Sequence, residues 1–171
     1  DERDGCWKWP QGGDFYHLAL QHTTTLMLSP DSIHQLGLAE VARIHREMEV
    51  IKKKVGFTGS LRAFFDHMRN SKEFYYPNTQ AGKDAYVTDT RSIIDGIQSK
   101  LDGLFITKPK AALVVKEVEA FREKSAGGAF YEEPAPDGSR PGRYYINLYT
   151  LSDQPKYQME ALAYHEAIPG H

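Results

Sequence analysis

Apolar side chains recur every three to four positions through most of this chain, the spacing that gathers them on one side of a helix. Leu38, Val41, Ile44, Met48, Ile51 and Val55 form one such stripe. Ser29-Pro30-Asp31 supplies an opening cap with proline in the first turn and Gly56 a stop, so a long amphipathic helix is predicted between them. A shorter helix is predicted over residues 60–69, burying Leu61, Phe64, Phe65 and Met68. A third, over 82–101, carries Tyr86, Thr90, Ile93, Ile94, Ile97 and Leu101. Stripes of this kind read as core faces rather than ligand sites.

Two stretches break the helical rule. Residues 112–118 are rich in β-branched side chains and predict a strand, with a helix as the alternative for so short a run. Residues 143–148, Arg-Tyr-Tyr-Ile-Asn-Leu, follow the Gly/Pro-rich loop 134–142 and read as a second strand, leading into a helix from about Pro155. There is no internal repeat or low-complexity tract. The pattern gives a mainly α fold with a small β element.

The last seven residues, His165-Glu166-Ala167-Ile168-Pro169-Gly170-His171, hold the densest chemistry. A neutral imidazole is a common transition-metal ligand, and a Glu directly after it can turn its carboxylate toward a water on the ion rather than toward the ion itself. His165 and His171 are therefore candidate metal ligands and Glu166 a candidate base. Their spacing is unusual. A residue six positions on lies about 240° around a straight helix, at about 100° per residue. Pro169 can neither donate an N–H nor sit beneath the His165 carbonyl in a regular helix, and Gly170 adds conformational freedom. One expectation is an irregular turn that brings His171 back toward His165; the other is that Pro-Gly ends the helix and leaves His171 in a loop.

With HEAIPGH preceded by DGSRPGRYYINLY and, far upstream, by TTTLMLSPDSIHQLGLAEVARI, the sequence resembles the bacterial proteins grouped as domain of unknown function 885, regarded as relatives of zincin-like metallopeptidases. The resemblance runs along nearly the whole chain. It implies a zincin-like, gluzincin-related helical domain, with residues 1–171 a single partial domain internal to a longer catalytic domain. It also implies zinc as cofactor, a further His after the motif, and a third ligand from a Glu on a later helix. In such folds an edge strand ahead of the active-site helix pairs with extended substrate. The strand over 143–148 is expected in that role, or otherwise as one edge of a small sheet. Family members often carry export or lipoprotein signals, so a cell-envelope location is suspected by resemblance alone.

Composition narrows the partners. The chain has 171 residues, 40% hydrophobic, enough for one core. A net charge of −2 gives no electrostatic case for nucleic acid or an anionic membrane. Lys52-Lys53-Lys54, the one basic cluster, closes the long helix, where cations complement its dipole. The single cysteine, Cys6, excludes a disulfide scaffold. No stretch approaches the roughly 20 apolar residues of a membrane span, and the polar start has no signal-peptide character. Oligomeric state is not legible.

The candidate substrate-binding residues are Arg140, Tyr144, Tyr145 and Asn147. Arg140 could fork onto a substrate carboxylate, or pin its own Gly/Pro loop. Tyr144 and Tyr145 must point to opposite strand faces, so one at most can aid an oxyanion. His22, His34 and His45 have no ligand spacing between them and read as satisfied or solvated side chains. Glu132 and Glu160 are further carboxylates that nothing in their spacing singles out. The expected function is a zinc-dependent, peptidase-like hydrolase with a peptide substrate. A catalytically inactive zincin-derived scaffold is the alternative, and an amidase or esterase using the same water a lesser one.

Overall fold

The structure, a computed structural model, describes residues 5–171. Contacts divide the chain into two units, Asp1–Asp66 and His67–His171.

The regular elements among the described residues of the first unit are all helical. A 3-10 turn, Gly5–Lys8, leads into helix α1, Gly12–Thr24, which no apolar stripe announces in the sequence. Gly12 is required where the two meet, because a Cβ there would run into the Cys6 carbonyl. Helix α2, Pro30–Lys54, matches its predicted bounds: the Ser29 hydroxyl accepts the Ser32 N–H at 3.1 Å, and Gly56, at φ +75°, ends the run. Lys52 does more than face the helix dipole. Its buried ammonium donates to the Gly59 carbonyl at 2.5 Å and pairs with Glu49 at 2.7 Å. The expected burial of the α2 stripe is not met, for Leu38, Val41, Ile44, Ile51 and Val55 are all exposed. Periodicity chooses which side of a helix is apolar, but burial needs a second surface, and no described residue of this unit supplies one. Helix α3, Leu61–Asn70, begins in this unit; Phe64 is its one buried side chain and packs on Phe57 at 5.2 Å between ring centroids.

In the second unit, helix α4, Gln80–Gln98, opens with the Thr79 hydroxyl accepting the Gly82 N–H at 3.2 Å. Leu101, expected at its end, lies instead in a separate 3-10 turn, Leu101–Gly103. Strands β1 (Leu113–Glu117), β2 (Ala129–Glu132) and β3 (Gly142–Ile146) form one sheet in the order β1-β3-β2. β1 is parallel to β3, with Leu113 opposite Gly142; β2 is antiparallel to it, with Tyr131 opposite Tyr144. The expectation of β3 as an edge strand is therefore corrected. Both of its edges are hydrogen-bonded, the second by β2, whose four residues show no alternation to betray them. Helix α5, Met159–Glu166, follows a 3-10 turn at Lys156–Gln158 and starts later than the predicted Pro155.

One sheet face packs against α4 and α5, giving a core of Tyr86, Val87 and Ile94 from α4, Val115, Tyr144 and Ile146 from the sheet, and Met159, Ala163 and Ala167 around α5. Ile146 is fully enclosed. Two amides brace this core. Asn147 donates to the carbonyls of Glu123 and Ala126 at 2.7 and 3.1 Å, and buried Gln154 donates to the Gly128 carbonyl at 2.9 Å while accepting from the Tyr86 hydroxyl at 3.3 Å. The fold is mainly helical with a small sheet, as its sequence predicts.

Candidate metal centre

Helix α5 exists because Met159, Ala163 and Ala167 recur every four residues and bury on the sheet. It stops at Glu166, where Ala167 still donates to the Ala163 carbonyl at 3.0 Å but leaves the helical region. The Ile168–Pro169 peptide is cis. The chain then folds back over the helix end: Gly170 N–H donates to the Tyr164 carbonyl at 2.8 Å and His171 N–H to the His165 carbonyl at 3.1 Å. Each bond spans six residues. Both sequence expectations thus hold in part, for the helix does end before Pro169, and His171 nevertheless returns to His165. The reason for Gly170 differs from the expected one. Its φ is not positive, and what it provides is space, since a Cβ there would collide with the carbonyl oxygens of His165 and Tyr164.

The consequence is a cluster. The His165 and His171 rings stand edge to face, centroids 5.3 Å apart at 85°. His171 Nε2 lies 4.0 Å from Glu166 Oε2. One ligand atom from each of His165, Glu166 and His171 falls within 4.8 Å of the others, and no other such group of three occurs among the described residues. Zinc bound by nitrogen at about 2.0–2.1 Å needs donors no more than about 4.2 Å apart, so these atoms must draw closer to share an ion. Two imidazoles and a carboxylate suit a divalent transition ion. Access differs within the cluster: the His171 side chain is 57% exposed, that of Glu166 only 14%. An open cavity of about 530 Å³ borders the two imidazoles, walled by Ile97, Tyr164, Pro169 and Gly170.

The sheet contributes two tyrosines to these surroundings. Tyr131 of β2, which sequence reasoning missed, lies nearly parallel to His171, centroids 6.0 Å apart at 8°. Tyr144 of β3 is buried; burial, then Tyr86, then the negative charge of Glu166, hold its phenol protonated well above the ordinary tyrosine range.

The remaining predicted residues fall elsewhere. Tyr145 points to the opposite face, as alternation requires, stacked on Phe130 at 4.9 Å with the Arg122 guanidinium 4.9 Å from its ring centre. Arg140 and Arg143 both pair with Glu132, at 3.2 and 3.3 Å, so Arg140 ties its loop to β2. Asn147 is occupied by the carbonyls it braces. Glu160 accepts the Tyr164 hydroxyl at 2.7 Å and stays outside the cluster. His22 lies on α1, His34 and His45 on α2, all exposed.

The family model described as "Bacterial protein of unknown function (DUF885)" matches residues 1–171. No curated protein matches the chain. Among solved structures, the crystal structure of a "putative lipoprotein" from Colwellia psychrerythraea is similar at TM-score 0.84 and 35% identity, over 98% of this chain and 29% of that one. The present chain thus spans less than a third of that protein's length.

Proposed function

The chain belongs to the DUF885 family of bacterial proteins, and from that premise we propose that it supplies two ligands and the base of a zinc-dependent, peptidase-like hydrolase related to the zincins. The observation that carries this reading is the turn after α5, which brings His165, Glu166 and His171 within 4.8 Å of one another although their sequence spacing would separate them on a regular helix. His165 and His171 hold the ion through ring nitrogens. When bound there, zinc supplies Lewis acidity to a water and to the peptide carbonyl. Glu166 accepts the proton of the attacking water and passes it to the leaving amine.

A catalytic zinc keeps three protein ligands, so with Glu166 as base the third donor comes from outside this cluster. An envelope location is proposed on the strength of the structural neighbour's lipoprotein description. The test pairs metal analysis with turnover. Glu166→Gln keeps shape and zinc while removing the proton acceptor, and hydrolysis of a peptide library should fall about 10²–10⁴-fold. Zinc retained by a protein that hydrolyses no peptide would identify the inactive scaffold instead.

A further inference from the structure

His171 follows Gly170 in an exposed turn, where two backbone bonds fix the main chain and its side chain is 57% exposed. Its neighbour on the sheet is Tyr131, parallel to it at 8°, while His165 meets it edge-on. Offset parallel and edge-to-face pairs at such separations are the favourable aromatic arrangements. Tyr131 is itself fixed from behind. It stands on β2 opposite Tyr144, and its hydroxyl lies against Gly142, the first residue of β3. A Cβ at Gly142 would overlap the phenol oxygen and come within 3.0 Å of ring carbon Cζ.

We infer that Tyr131 is a positioning residue that sets the ring plane of His171, and that Gly142 is glycine to make room for it. The inference deepens the metal-site reading and rests on it for what the positioning accomplishes: it holds an exposed ligand toward His165 before an ion arrives. Ring placement itself is independent of metal. A side chain that only filled space would be replaceable by leucine, whereas an orienting ring requires another flat one.

The experiment uses Tyr131→Leu, Tyr131→Phe and Gly142→Ala in the purified protein, with two readouts. The first is the ¹H shift of the His171 ring protons in metal-free protein, which a stacked neighbour displaces upfield. Tyr131→Leu should abolish the displacement and Tyr131→Phe keep it. The second is zinc affinity by chelator competition, expected to weaken at least about fivefold for Tyr131→Leu and Gly142→Ala and under twofold for Tyr131→Phe. Combining Gly142→Ala with Tyr131→Phe removes the overlapping hydroxyl and should recover part of the loss, which also separates repositioning from misfolding. Unchanged His171 shifts in Tyr131→Leu would overturn the inference. If the unaltered protein binds no zinc, the metal reading fails, while the ring shifts still decide the role of Tyr131.

Discussion

Gly170→Ala perturbs the point on which the candidate site depends. The new methyl would meet the carbonyl oxygens of His165 and Tyr164, backbone atoms that cannot swing aside, so the turn has to open. Opening it sacrifices the bonds from Gly170 to Tyr164 at 2.8 Å and from His171 to His165 at 3.1 Å. At a net value of about 0.5–1.5 kcal/mol each, re-forming the turn around an ion then costs about 1–3 kcal/mol. With about 1.4 kcal/mol per decade, zinc should bind roughly 5- to 150-fold more weakly. The loss is local. Gly170 and His171 are exposed, so the urea stability of the metal-free protein should fall by no more than the same roughly 1–3 kcal/mol that the two bonds contribute. Competition against a chromophoric chelator measures the affinity, with Gly96→Ala as control, a helical glycine on α4 whose added Cβ would meet nothing. Undiminished zinc affinity in Gly170→Ala would refute the claim that this turn brings the donors together.

Three further outcomes follow from the same geometry. Glu166→Gln should leave zinc content unchanged and lower peptide hydrolysis by about 10²–10⁴-fold, as read by metal analysis and initial rates. Ile146→Ala, at the fully buried last residue of β3, should cost about 2–5 kcal/mol in urea unfolding, because it leaves a cavity in the core that α4 and α5 close over the sheet. Stability should also fall at alkaline pH. Burial pushes Tyr86 from the ordinary 10.0 up to about 12, so between those values the unfolded chain releases a proton that the folded one retains. Its contribution is level below pH 10 and is lost as pH rises toward about 12, at up to about 1.4 kcal/mol per pH unit, and Tyr86→Phe should reduce the slope of urea stability against pH.

Local signals in the sequence proved most informative where a cap, a period and a stop coincide. Ser29, the α2 stripe and Gly56 delimit that helix correctly, whereas α4 begins at Gln80, capped by Thr79, ahead of the predicted start at 82. What the sequence withheld was pairing. β2 is four residues long and follows Gly127-Gly128, so nothing in it distinguishes a strand from loop; without it β3 reads as an edge when it is the centre of the sheet. The exposed α2 stripe shows the same limit for helices, since periodicity carries no information about what covers it. At the site, proline at i+4 signalled a break after His165, and the break is there. The stacking of Tyr131 on His171 was not legible, because it joins residues forty positions apart through a strand the sequence did not announce. Arg140 and Asn147 were picked for their chemistry, and tertiary contacts engage them with Glu132 and with loop carbonyls.

The most direct test of the zinc reading is metal content of the intact protein, purified without chelators and measured by elemental analysis alongside His165→Ala and His171→Ala. The account predicts about one zinc per chain in the unaltered protein and loss of it in both variants, each of which removes a ligand while leaving the Ile146-centred core untouched. Protein that remains metal-free after zinc supplementation, or that keeps its zinc in both variants, would contradict it.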